Sequence, residues 1–197
     1  VELVKKESIT HTFLVPPQFS AILSLANLEK DSFNSLKTIL SAGSPLRLDV
    51  KEKILKSISK NLFELYGFSE GFATMLKPHN QRKKISSVGT PVLGFEIKII
   101  DEKGIECPPN VAGEIAGYGA GMMKEYYREP ELTKNLIWID NRGRSFIKSG
   151  DIGSLDQDGF LTILDRKKDM IISGGLNVFP VDIEEVVSKH PDIVDVT

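Results

Sequence analysis

The sequence predicts an α/β chain: a parallel strand-helix-strand sheet part, then a small antiparallel β subdomain, then the start of a mobile α+β C-terminal domain. Three observations predict it. Over the first third, apolar strand-like runs alternate with amphipathic helical segments. From about Ser86 the chain changes to short strands joined by turns that close on glycine. Finally, LDRKKDMIISGGLNVFPVDIEEVV, Leu164 to Val187, sets a charged connector between two apolar runs and follows it with paired glycine and a helix start. The expected parts are 1–90, the α/β portion of a large domain; 91–167, the antiparallel subdomain of the same domain; and 168–197, the truncated start of the mobile domain.

Ile9 to Val15, rich in β-branched and aromatic residues, reads as the first strand. Pro16-Pro17 ends it and sets the start of a helix near Phe19 to Leu28. Thr38 to Ser41 is a second short strand. Leu48 to Lys60 places Val50, Ile54, Leu55 and Ile58 on one face with lysines opposite, the roughly 3.6-residue period of an amphipathic helix. Asn61 to Tyr66 returns to a strand. This order favours parallel pairing through right-handed crossovers, with ligands beyond the carboxyl ends of the strands. Two loops fall at that edge, Ser41 to Pro45 and Tyr66 to Glu70.

Farther on, Phe95 to Ile100, Gly113 to Tyr118, Leu136 to Ile139, Ser145 to Lys148 and Phe160 to Leu164 read as strands. Asp101 to Gly104, Asp140 to Gly143 and Asp156 to Gly159 are turn-rich connectors. The run Asp165 to Asp169 reads as a solvated connector and Met170 to Ile172 as the next strand. Pro180 then opens a helix with Asp182, Glu184 and Glu185 in its first turn, and Ile193 to Thr197 reads as a last strand.

A chain of 197 residues buries a sizeable core. Its hydrophobic fraction of 41% and charged fraction of 26% are those of a soluble globular protein. A net charge of -2 gives no general attraction to nucleic acid or to an anionic membrane. Cys107 stands alone, which excludes an intrachain disulfide and a cysteine metal cluster and suits a reducing, cytoplasmic setting. No apolar run is long enough to span a bilayer, and the first residues do not read as a charged-then-apolar leader. Val1 and the unpartnered final strand read as cut ends, so a fragment of a longer protein is expected.

YGFSE, Tyr66 to Glu70, puts an aromatic ring, a glycine, a hydroxyl and a carboxylate on one loop at a sheet edge. A nucleotide can use all of these: the ring stacks on a base, the hydroxyl donates to a phosphate, and the carboxylate holds Mg²⁺. Alone, the same five residues read rather as a turn with a capping Ser69 and an exposed Glu70. In SGD, Ser149 to Asp151, a carboxylate can accept both hydroxyls of a ribose, or be a plain turn aspartate. Arg166 is a second sugar or phosphate contact, or a solvated cation in a charged run. Gly174-Gly175 permits close backbone approach to a ligand, or is a tight hairpin turn. His11, His79 and His190 show no metal-ligand spacing, and no residue pairs as a nucleophile with a base.

Taken together and in order, SAGSPL, YGFSE, SVGTPVLGFEIKIID, GEIAGYGAGMMKEYY, SGDIG and GFLTILDRKKDMIISGGLNVFPVDIEEVV resemble the adenylate-forming (AMP-binding) superfamily. That superfamily comprises acyl-CoA synthetases, peptide-synthetase adenylation domains and luciferases. MIISGGLNVFPVDIE is similar to the acyl- or aryl-CoA ligase branch, since adenylation domains usually carry an arginine-glycine pair at Gly174-Gly175. The resemblance implies that the backbone of Gly43, Ser44 and Pro45 borders the adenine and that Tyr66 stacks on it. It implies that Gly67 and Phe68 border the acyl pocket, for which Phe72 and Met75 also hint at an apolar lining. Ser69, where the family usually has threonine, would meet the α-phosphate; Glu70 would coordinate Mg²⁺; Asp151, assisted by Arg166, would hold the ribose. Lys168 falls at the family's hinge, and Gly174 and Gly175 would line the passage for CoA.

The implied reaction is attack of a carboxylate on the α-phosphate of ATP, then displacement of AMP by the CoA thiol after rotation of the small domain. The family's glycine-rich phosphate loop is expected upstream of residue 1 and its catalytic lysine beyond Thr197. The isolated chain is therefore expected to have little ligase activity. A fatty or aryl acid is favoured over an amino acid because no acidic residue but Glu70 stands beside YGFSE. Two other readings stay open from the residues: a non-catalytic nucleotide-binding or regulatory domain, and a purely structural α/β domain.

Overall fold

The computed structural model describes residues 1–25, 28–173, 176–187, 190 and 192–193. The chain forms two compact units, one of Val1–Phe68 with Ala73–Leu93 and the other of Ser69–Phe72 with Gly94–Thr197. The first runs α1 (Glu2–Lys6), β1 (His11–Leu14), α2 (Pro16–Leu23), β2 (Thr38–Ser41), α3 (Leu48–Ser57), β3 (Leu62–Gly67), β4 (Ala73–Leu76) and β5 (Thr90–Pro91). Its five strands lie in chain order in one sheet. β1, β2 and β3 are parallel, as the strand-helix alternation predicts. β4 and β5 add antiparallel strands that the sequence reading missed. Four residues with a buried threonine, Ala73–Leu76, carry too short an alternation to be legible.

The core of this unit is built from Phe19, Phe33, Ile39, Ile54, Ile58 and Leu62. α2 starts at Pro16 rather than near Phe19, because proline is well placed where the helix has no use for its missing N–H. Gln18 Oε1 accepts the Val15 N–H at 3.0 Å and closes that end. α3 corrects the expectation that all its lysines face solvent: Lys51 is 2% exposed. Lys51 is three residues before Ile54 and four before Leu55, so the helical period turns it inward with them.

The second unit runs β6 (Phe95–Ile100), β7 (Gly113–Gly119), α4 (Pro130–Leu136), β8 (Ile137–Ile139), β9 (Ser145–Leu155), β10 (Leu161–Arg166), β11 (Ile171–Ser173), β12 (Leu176–Val178) and α5 (Pro180–Val187). The antiparallel order is β10-β9-β7-β6, with β8 on β9, and β11 and β12 form a separate ribbon. Ile100, Ala116 and Phe146 are its buried centre, with the Trp138 ring 5.3 Å from that of Phe146. Gly117 is required here, since a Cβ at that position would overlap the Phe72 ring. α4 and β12 were not anticipated. α4 has a local signal, Pro130 at its first turn and Thr133 Oγ1 bonding back to the Glu129 carbonyl at 3.1 Å. Gly174, Gly175 and the strand expected over 194–197 lie outside the described residues. Among the described residues no helix is long and apolar enough to cross a membrane.

Candidate active site

In the first unit the two predicted loops leave neighbouring parallel strands at their carboxyl ends. Ser41, the last residue of β2, is in register with Glu64, and β3 ends two and three residues later at Tyr66 and Gly67. Gly43, Ser44 and Pro45 follow β2 and are exposed. Gly43 has φ +98°, and a Cβ there would meet Val15 Cγ1 at 3.4 Å, so the turn itself calls for glycine. Tyr66 is half-buried. A cavity of about 250 Å³ in the same unit, lined by Val4, Leu14, Phe33 and Ile39 among others, contains none of these residues.

In the second unit Ser69 is exposed and Glu70 half-buried. Tyr126 Oη donates to Glu70 Oε1 at 2.7 Å, and the Met123 N–H donates to the Glu70 carbonyl at 2.8 Å. That bond to Glu70, with partial burial, pushes the Tyr126 phenol above its ordinary value. Thr133 Oγ1 in turn accepts the Tyr126 N–H at 2.8 Å. Tyr126 is a residue the sequence reading missed. Its signal, an aromatic pair between a glycine-rich strand and a proline-opened helix, is local and weak; its partner is 56 residues away.

Ser149 to Asp151 is not a turn after a strand. β9 continues through it, and between the pairs Glu114↔Ile152 and Ala116↔Lys148 the three residues face one, Ile115. The segment is thus a β-bulge, with Gly150 at φ +76° and the Asp151 N–H donating to Ser149 Oγ at 3.0 Å. On the other side of β9 the register slips again, and Asp151 lies directly opposite Arg166 of β10. The charged connector is accordingly shorter than expected, since Asp165 and Arg166 belong to β10. Lys168 stands exposed in the next turn. Its neighbour Lys167 donates its N–H to the Gly150 carbonyl at 2.8 Å and its ammonium to Glu114 at 2.7 Å.

The predicted residues therefore form two groups, each assembled within its own unit: Gly43 to Pro45 with Tyr66 and Gly67, and Asp151 with Arg166. The second unit also holds Ser69 and Glu70. Chemically, a bulged carboxylate opposite a guanidinium suits a vicinal diol beside an anion. Among the described residues no group of three histidine, cysteine or acidic side chains could hold a metal ion.

Comparison with known proteins gives the family. A long-chain-fatty-acid–CoA ligase of Escherichia coli is 34% identical over 179 residues, covering 90% of this chain and 31% of the relative. A feruloyl-CoA synthase of Amycolatopsis is 31% identical over 193 residues, covering 96% and 38%. The solved O-succinylbenzoate coenzyme A synthetase of Bacillus subtilis in complex with AMP superposes with a TM-score of 0.84 at 30% identity, covering 98% of this chain and 39% of that one. The chain thus spans about a third of the length of the curated relatives it matches. The family model for AMP-binding enzymes matches residues 1–127, and the chain belongs to that adenylate-forming family.

Proposed function

We propose that this chain is the nucleoside-binding part of an ATP-dependent acid-thiol ligase, which activates a fatty acid as its acyl-adenylate and transfers the acyl group to CoA. The observation that carries the reading is the bulge at Ser149 to Asp151, which takes Asp151 out of the ladder with β7 while it stays paired with Arg166 of β10. Bulges re-aim side chains at sites of chemistry. A regular strand would serve packing better.

In this reading Asp151 accepts the ribose hydroxyls, Arg166 offsets nearby negative charge, Tyr66 stacks on the adenine bordered by Gly43, Ser44 and Pro45, and Gly67 borders the acyl pocket. Ser69 donates to the α-phosphate and orients it toward the incoming carboxylate. Glu70 is the Mg²⁺ ligand. A single carboxylate suits an ion that keeps waters and takes its other ligands from phosphate oxygens. When bound, Mg²⁺ neutralises phosphate charge that otherwise repels the attacking carboxylate. Tyr126, by engaging Glu70 Oε1, orients the carboxylate. Lys168 is the hinge, and Gly174 and Gly175 line the CoA passage; a cytoplasmic setting goes with ATP and CoA as substrates.

The fatty acid is supported by the Escherichia coli relative, and the feruloyl-CoA relative supports an aryl acid as the second reading. Calorimetric titration of the full chain with AMP, and with long-chain-acyl and feruloyl adenylate analogues, separates them. Asp151→Ala is expected to weaken AMP at least about tenfold, since one charge-assisted bond contributes about 1.5 kcal/mol or more. Unchanged AMP affinity in Asp151→Ala overturns the ribose assignment. Tighter binding of the feruloyl analogue moves the substrate to the aryl class.

A further inference from the structure

A buried ion pair joins α3 to β3. Lys51 Nζ sits 2.5 Å from Glu64 Oε2, with the two side chains 3% and 6% exposed. The same ammonium donates to the Ile85 carbonyl at 2.6 Å and to the Ser87 carbonyl at 3.4 Å. The backbone N–H of Leu46 lies close enough to the Glu64 carboxylate to favour its charged form. One contact group therefore ties α3, β3, the 85–87 segment and the end of the 42–46 loop. Glu64 is two residues before Tyr66 on β3, so both side chains leave the same face of the strand. Leu46 directly follows Pro45 and is itself buried.

A buried pair of this kind is a poor way to gain stability, because desolvating two charges offsets most of their attraction. An apolar pair of similar volume would pack here without that cost. What the pair supplies is geometry: it sets a carboxylate beside the Leu46 N–H at one defined place, and Lys51 favours the charged form of that carboxylate and orients it. Both walls assigned to the adenine, Gly43 to Pro45 and Tyr66, are anchored to the same carboxylate-bearing residue.

Resting on the adenine assignment above, we propose that Lys51 and Glu64 are positioning residues for the nucleotide, which set the Gly43–Pro45 loop against Tyr66 without touching the ligand.

The test measures AMP affinity of the full chain by calorimetry, together with hydrogen exchange at the Leu46 amide, well below each variant's melting temperature. Glu64→Leu is expected to speed Leu46 exchange and to weaken AMP about tenfold or more. Should Glu64→Leu alone fail to fold, Lys51→Met/Glu64→Leu removes both charges and gives the same two readouts. Lys51→Met/Glu64→Gln keeps a neutral acceptor for Leu46 and is expected to bind AMP within about threefold of the wild type. Faster Leu46 exchange with AMP affinity within about twofold of the wild type means that the pair is structural only, and overturns the proposal. Tyr66→Ala separates this from failure of the adenine assignment: if it leaves AMP affinity unchanged, the assignment itself falls and the proposal with it.

Discussion

Replacing Lys51 by methionine tests how much the buried pair weighs in folding, and the structure gives the size and sign. With the side chains only 3% and 6% exposed, the relevant figure is not the about 0–1 kcal/mol of a surface pair. Removing one partner of a buried pair costs about 3–5 kcal/mol, because the other charge stays behind. At roughly 2–4 °C per kcal/mol for a chain of this size, the melting temperature falls by about 6–20 °C.

The loss depends on pH. Burial raises the Glu64 carboxyl above its ordinary value, and Lys51 works against that rise. Without Lys51, the folded-state value moves higher still. A raised carboxyl holds its proton longer in the folded state, so its contribution is fully present below the unfolded value and is lost as pH climbs through the folded one. The deficit of Lys51→Met is therefore smallest near about pH 4.5 and grows toward about pH 8. Urea unfolding of both proteins across that range, with the denaturant slope checked for constancy, measures it. Lys51→Met/Glu64→Gln, which has no carboxyl to titrate, should abolish the pH dependence of the deficit. A deficit under about 1 kcal/mol at pH 8, or one that does not change with pH, refutes the reasoning.

Two further outcomes follow from the geometry. Tyr126→Phe, which removes only the hydroxyl bonded to Glu70, should lower folding stability by about 1 kcal/mol or less and weaken Mg²⁺-dependent ATP binding several-fold. Unchanged Mg²⁺ dependence would remove Tyr126 from the site; as a check on the bond itself, Glu70→Gln should bring the raised Tyr126 phenol back toward its ordinary value in an ultraviolet titration. Gly89→Ala should abolish folding of the first unit, because a Cβ there would overlap the Met75 carbonyl group and the Leu76 nitrogen, at a φ of +92° that already favours glycine. A circular-dichroism melt that shows the variant folded within a few degrees of the wild type would contradict that close approach.

Much of the molecule was legible from residue order. The parallel β1-β2-β3 arrangement followed from strand-helix alternation, and the strand from Phe95 to Ile100 was read to the residue from its apolar run. The loops at Gly43 to Pro45 and Tyr66 to Glu70 stood out because glycine, proline, an aromatic ring and a carboxylate crowd a strand's end. The family resemblance came from six stretches in one order, which no single motif carries. Less legible were the places where one residue's meaning depends on a distant one. Lys51 looked like one more solvent-facing lysine because its partner Glu64 lies on another element, and the inward turn of the helical period was outweighed by its charge. SGD looked like a turn because serine, glycine and aspartate favour turns locally; the pairing of β9 with β7 on one side and β10 on the other makes it a bulge instead.

The sequence by itself determined the class of fold, the alternation of elements and the chemical identity of the candidate nucleotide contacts, since these rest on periodicity and turn chemistry within a few residues. Only the tertiary structure decided that Asp151 faces Arg166, that Glu70 is held by Tyr126, and that Lys51 and Glu64 are buried together. Register between strands is set by how whole faces pack, and the state of a charge by how much water its neighbours exclude. Neither quantity exists until the chain has folded.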